Sequence, residues 1–343
     1  GANDNTKILN IEVEEKATGE VAAGAGTGTS GSNVSFSISE NNYLGRGIGV
    51  RANTAISDDS ITAMLSITNP NFRNSDKLLD TTIERSTTDF MSKYGYKTTK
   101  TGFSFGTTFE QYQDIYFSPK ISTYLETLDT SSIASAAKKK QEGDYFDSNF
   151  SYFLTLNKLN QNFQPSDGYK SRFFQSLPVI ADDKSIINSY EFSTYNKLKN
   201  ESIISIILFA KAINSYDDDV RVSKRIFMPA RKLRGFAAGK IGPLDAGDYI
   251  GGNYGTAANI AATLPKFLVD LQNVDFSLFL DAANVFGVDY NDELDSSKLR
   301  SSAGVAIDWF TPIGPLSISF ASPLTKASTD KTETFRFQLG TTF

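Results

Sequence analysis

The chain has 343 residues, with 34 basic and 39 acidic side chains and a net charge of −5, and neither sign dominates any long segment. That balance offers nucleic acid no basic footprint. Cysteine and histidine are both absent, which excludes disulfides, thiolate or imidazole metal sites and imidazole-based hydrolysis or acyl transfer; no enzyme activity, metal or cofactor is expected.

No run approaches the roughly 18 to 20 apolar residues of a membrane helix. The nearest, IISIILFAKAI at 203–213, is about half that length and contains Ser205 and Lys211. Barrel strands need only about 9 to 11 residues each, so the membrane stays open as a destination. No signal peptide is visible at Gly1, which points to a mature or truncated chain.

In chain order, KILNIEVEEK (7–16) reads as a charged, water-compatible strand without a lipid-facing stripe. Residues 1–18 are therefore expected to be the tail of a preceding soluble domain with its linker, and 19–343 a barrel. GTGTSG (26–31) satisfies G-x-G-x-x-G, but a second alternating strand follows it where the dinucleotide fingerprint needs a helix. Its glycines matter differently: Gly24, Gly26 and Gly28 fall inside the first barrel strand, where lost packing and backbone entropy predict weak pairing with its neighbour.

Period-two alternation then recurs about sixteen times. In NVSFSIS (33–39), Val34, Phe36 and Ile38 oppose serines; in NFSYFLTLN (149–157), Phe150, Tyr152, Leu154 and Leu156 oppose Asn149, Ser151, Thr155 and Asn157; PLSISF (315–320) repeats the pattern. A soluble β-sandwich also alternates. Against it, the polar face is small and sparsely charged, aromatics crowd toward strand ends and strands often exceed eight residues. The predicted fold is all-β: a membrane-spanning antiparallel β-barrel of about 16 strands.

Short or moderate links near 41–46, 70–75, 112–114, 199–202 and 311–315 are expected to face the periplasm. Long links near 128–145, 214–250, 285–297 and 323–333 are expected to face the exterior. SSIASAAKKKQ (131–141) has helical composition, with its lysines read as a solvated face. The acidic runs DDD (217–219) and DYNDELD (289–295) lack the glycine turn and ligand spacing of a calcium loop and read as solvated loops. Between them, RKLRGFAAGKIGP (231–243) places Arg234 in a glycine-rich connection beside Leu233 and Phe236.

In LFLDAANVF (278–286), alternation sends Leu278 and Leu280 toward lipid with Phe276, and Phe279 and Asp281 into the lumen. A carboxylate in a barrel wall wants a cation, because an unpaired buried charge is expensive; Arg234 is the natural candidate. FRFQLGTTF (335–343) ends the chain with Phe335, Phe337, Leu339 and Phe343 on one face.

These pieces together resemble the BamA family of bacterial outer-membrane barrel-assembly proteins, over nearly the whole chain. LRGF (233–236) is similar to the family's loop motif and GDYIGGNY (247–254) to the strand start after it. LFLDAANVF, WFTPIGPLSISFASPL (309–324) and FRFQLGTTF resemble its later strands. NNYLGRG (41–47) resembles its first periplasmic turn, and IEVEEKATGEVAAGAG its junction between the last POTRA domain and the barrel.

The resemblance implies a long sixth exterior loop folded into the lumen, with Leu233, Arg234, Gly235 and Phe236 as its motif and Asp281 as the partner of Arg234. A second acidic partner, counted from Gly251, falls on Ala261. The implied activity is folding and inserting β-barrel proteins into the bacterial outer membrane through a lateral seam. Gly24, Gly26 and Gly28 would line that seam on the first strand, and Phe335, Phe337, Gly340 and Phe343 on the last. Implied partners are unfolded barrel clients, accessory assembly lipoproteins, and outer-membrane lipid and lipopolysaccharide. Two alternatives remain: a two-partner-type secretion pore, which shares the arginine–glycine loop motif, and a diffusion porin, which has no use for one.

Overall fold

A computed structural model describes residues 10–12, 14, 16–199, 201–265, 273–294, 298–312 and 314–340. The expected strand over 7–16 and the terminal Phe343 fall wholly or partly outside them. Sixteen antiparallel strands close into one barrel. They are β1 (Gly19–Gly28), β2 (Gly31–Tyr43), β3 (Ile48–Ser57), β4 (Ser60–Asn69), β5 (Leu78–Phe90), β6 (Tyr96–Tyr112), β7 (Ile115–Thr130) and β8 (Gly143–Asn157). They continue as β9 (Gly168–Ala181), β10 (Ser185–Lys197), β11 (Ile203–Ser215), β12 (Tyr254–Thr263), β13 (Val274–Phe286), β14 (Arg300–Thr311), β15 (Gly314–Thr325) and β16 (Phe335–Gly340).

The polarity of the wall is inverted relative to a soluble fold. On β2, Phe36 is 49 % exposed, with Val34 and Ile38 similarly bare, while Ser35 is only 5 % exposed. A sandwich would bury the phenylalanine and wet the serine; a barrel in lipid does the reverse. β13 obeys the same rule: Phe276, Leu278 and Leu280 face out, and Phe279 and Asp281 are buried on the lumen side.

Connection length predicts the two ends only in part. At the end that carries the long loop over 216–253, the β1–β2 and β3–β4 turns are just 29–30 and 58–59, whereas 158–167 is a longer link at the opposite end. Which end a link occupies follows from its odd or even place in an up-and-down barrel, so length is a weak guide.

Two further expectations are corrected. Where the sequence predicted weak pairing, β1 pairs with β2 along its whole length, Gly19 with Glu40 through Gly28 with Gly31. Toward β16 the described pairs number three. The helix in 131–141 is Ala136–Lys139, capped by the Ser135 hydroxyl, which accepts from the Lys138 amide. Lys138 is not a solvated lysine. It is 1 % exposed, and its Nζ donates to the Tyr94 carbonyl at 2.9 Å and to Asp248 Oδ2 at 2.7 Å.

Candidate functional site

The loop over 216–253 turns into the lumen and is fastened to the wall by charged side chains. Arg234 makes one of these fastenings. Its Nε donates to Asp281 Oδ2 and its Nη2 to Asp281 Oδ1, both at 2.7 Å, and its backbone N–H donates to Oδ2 at 3.0 Å. The guanidinium lies 3.4 Å from the centroid of the Phe279 ring. Asp281 is fully buried, so the fork supplies the hydrogen bonds that burial removed.

The strand facing Asp281 completes its shell. Asn259 on β12 pairs directly with Asp281 on β13, and its Nδ2 donates to Asp281 Oδ1 at 2.8 Å and to the Lys232 carbonyl at 2.9 Å. The second partner is therefore an amide at 259. Ala261 pairs with Phe279 one step along the lumen face and packs on the Phe279, Ala306 and Ala321 cluster. A count from the loop misses this because register is set by the β12–β13 ladder.

Gly235 has φ of +88°, and a side chain there would meet the Cβ atoms of Ser302 and Ala321 at 3.2 Å. Only glycine lets the chain take that conformation this close to the wall. Leu233 and Phe236 enter a buried cluster with Met228, Ile241, Ala257, Ala283 and Val285. Lys232 reaches Glu191 on β10 at 2.6 Å.

A second fastening was not visible in the sequence. Arg221, 2 % exposed, ion-pairs with Asp147 on β8, lies 3.4 Å from Glu126 on β7 and 3.8 Å from Asp183 in the β9–β10 turn, and stacks 4.0 Å from the Tyr145 ring centroid. Lys224 joins it, at 3.1 Å from Asp147 and 3.2 Å from Asp183. The only signal was the inward parity of Glu126 and Asp147, which names no partner. Asp289, read as part of a solvated acidic run, instead accepts from the Val220 backbone N–H at 2.7 Å and from Asn253.

The barrel end that carries this loop is roofed by the neighbouring loops. Ser135 donates to Asp245, and Tyr94 donates to the Ala238 carbonyl at 3.0 Å. Burial pushes the Tyr94 phenol up to about 12. Burial also holds the Lys240 ammonium below its ordinary pKa, helped by the charge of Lys331.

The seam lies between β1 and β16. The described ladder there is three pairs long: Gly26 with Gly340, Thr27 with Leu339 and Gly28 with Gln338. The glycine opposite Gly340 is thus Gly26; Gly24 pairs with Ser35 of β2. Phe335 and Phe337 stack with centroids 6.1 Å apart beside Phe320, on the outer face of β15 and β16. The loop motif and the seam residues are distinct places in the barrel.

A family model described as the Omp85 superfamily domain matches residues 42–343. The chain belongs to the Omp85 superfamily. Within the Omp85 proteins it is a BamA family member, and its barrel lies in the bacterial outer membrane. The outer membrane protein assembly factor BamA of Neorickettsia risticii is 27 % identical over 351 residues, covering 98 % of this chain and 46 % of that protein. The factor of the same name from Neisseria meningitidis serogroup B is 35 % identical over 141 residues, 32 % of this chain and 17 % of that protein. The chain thus spans about half, or less, of the length of the curated relatives it matches. The crystal structure of BamA from Haemophilus ducreyi lacking POTRA domains 1–3 superposes with a TM-score of 0.89 at 27 % identity, over 96 % of this chain and 71 % of that one. CdiB from Acinetobacter baumannii, at 10 % identity and a TM-score of 0.58 over 94 % of this chain and 59 % of that one, shares the fold alone.

Proposed function

We propose that this chain is the membrane barrel of an outer-membrane protein assembly factor and that it folds and inserts client β-barrels through the β1–β16 seam. The observation that carries the reading is the mismatch of the two ladders on β1. Ten residues pair with β2, against three described pairs with β16, so from Gly19 to Ala25 the second edge of β1 has no partner among the described residues. In lipid an unpaired strand edge is costly, because each backbone N–H and C=O needs a partner. A client strand adding to that edge supplies them, which is β-augmentation.

The clients would be unfolded outer-membrane barrels, and accessory lipoproteins and lipopolysaccharide would be its surroundings. The 1–18 segment would be the end of a preceding POTRA domain. The Arg234–Asp281 clamp would hold the inward loop as a fixed inner support while the seam works. A diffusion porin is disfavoured because that loop fills lumen space that solutes would need.

Since the chain has no cysteine, one pair of new ones reports cleanly. Thr27→Cys with Leu339→Cys, directly opposed across the seam, should stop client assembly by the full-length protein under oxidising conditions and restore it on reduction. Client insertion unaffected by the locked seam would defeat the reading.

A further inference from the structure

Seam opening requires β16 to leave β1, and the residues just before β16 are tied to the inward loop. Gly235 pairs with Glu333 and Phe236 with Thr332. The Ala237 N–H donates to the Lys331 carbonyl at 2.9 Å, and the Lys331 N–H donates to the Lys240 carbonyl at 3.1 Å. Gly235 is the residue after Arg234, so the Asp281 clamp and this ladder are one peptide bond apart.

Glu333 passes the connection on. Its Oε2 accepts from Arg336 Nε at 2.9 Å and lies 2.6 Å from Nη2. The remaining nitrogen, Nη1, crosses the seam and donates to the Ser30 hydroxyl in the β1–β2 turn at 2.7 Å. Beside it the Thr29 N–H donates to the Phe337 carbonyl at 3.0 Å, and the Phe337 N–H donates to the Thr29 hydroxyl at 2.9 Å. Among the described residues, Arg336 is the one charged side chain hydrogen-bonded from β16 to β1 or its turn.

We propose that Glu333 and Arg336 are positioning residues that couple the inward loop to the seam. This rests on the seam reading above. With the Arg234 clamp made, the loop ladder fixes Glu333, and Glu333 holds two edges of the guanidinium so that the third meets Ser30. With the clamp broken, Glu333 loses its backbone partner and Arg336 its orientation, and the seam is left with its short ladder. A planar fork is needed for this relay; an ammonium cannot engage Glu333 twice and Ser30 once in fixed geometry. Coupling of this kind is reciprocal, so opening the seam also loosens the loop.

The test uses full-length protein in lipid vesicles without clients, carrying Thr27→Cys and Leu339→Cys, and measures the rate of disulfide formation after a pulse of oxidant. Arg336→Gln, Glu333→Gln and Asp281→Asn should each slow cross-linking several-fold, and Arg336→Lys should behave like Arg336→Gln. The double variant Asp281→Asn/Arg336→Gln should be no slower than the slower single variant, since both break one relay. Ser30→Ala, in an exposed turn where folding is not at stake, should slow the reaction as Arg336→Gln does. An unchanged rate in Arg336→Gln or Ser30→Ala, or multiplicative effects in the double variant, overturns the coupling. Because no client is present, this outcome is separate from the client-insertion result on which the seam's function stands.

Discussion

At the scale of single residues, Asn259 is the informative position. Its amide donates both to Asp281 and to the Lys232 carbonyl, and both partners are acceptors. Asn259→Asp, the carboxylate pair implied by resemblance, would put a third acceptor against two and lose both hydrogen bonds. The variant is expected to lose about 1–3 kcal/mol, the usual cost of leaving buried polar groups unsatisfied. A lowered unfolding temperature in detergent, with faster protease cleavage inside 216–253, is the expected result; equal or greater stability would show that a second carboxylate is tolerated beside Asp281. The inward parity of Asp281 was legible from alternation, because which face a side chain takes is a local property of a strand. The identity of its neighbour was not, because it depends on how far β12 has slid along β13.

At the scale of elements, β1 is two-sided in a way its sequence half-reveals. Glycines suggested weak pairing; among the described residues β1 is paired over its whole length on the β2 edge and over three residues on the β16 edge. The reason lies in what each glycine faces. A Cβ at Gly28 would sit 2.5 Å from the Phe337 carbonyl oxygen of β16, so glycine there permits the close approach that closes the barrel. Gly28→Val should therefore leave the β1–β2 ladder and overall folding intact while pushing β16 away. The expected readout is a barrel that still shows heat-dependent mobility on gels but cross-links poorly between Thr27→Cys and Leu339→Cys. Cross-linking at the parent rate would mean that the seam relaxes around the added methyls.

At the scale of the molecule, the inward loop is a brace with anchors on well-separated parts of the wall. Arg221 engages β7, β8 and the β9–β10 turn; Lys232 engages β10; Arg234 engages β13; and the following residues pair with 332–333 just before β16. Removing one member of a buried ion cluster strands its partners, typically at about 3–5 kcal/mol. Arg221→Met leaves Asp147 and Asp183 with Lys224 and takes from Glu126 its ion pair with Arg221. Amide exchange should rise in the first part of the loop, around 218–226, while the amides of Gly235 and Phe236 stay protected. Uniform exchange across the whole loop would instead show that the two anchors hold a single cooperative unit.

The inside-out polarity of the wall, the near count of strands, the absence of imidazole and thiol chemistry, and the lumen-facing place of Asp281 were all in the sequence. Each follows from side-chain type and a period of two, which a strand carries along its own length. What only the tertiary structure decided was who meets whom: Asn259 rather than Ala261 at Asp281, Gly26 rather than Gly24 opposite Gly340, a buried Lys138, and Arg221 among three carboxylates. Those contacts depend on register and closure between segments far apart in the chain, as with Ser30 and Arg336, 306 residues apart. No local pattern encodes a register; it emerges when sixteen ladders must close on one another and a loop must fit the space they leave.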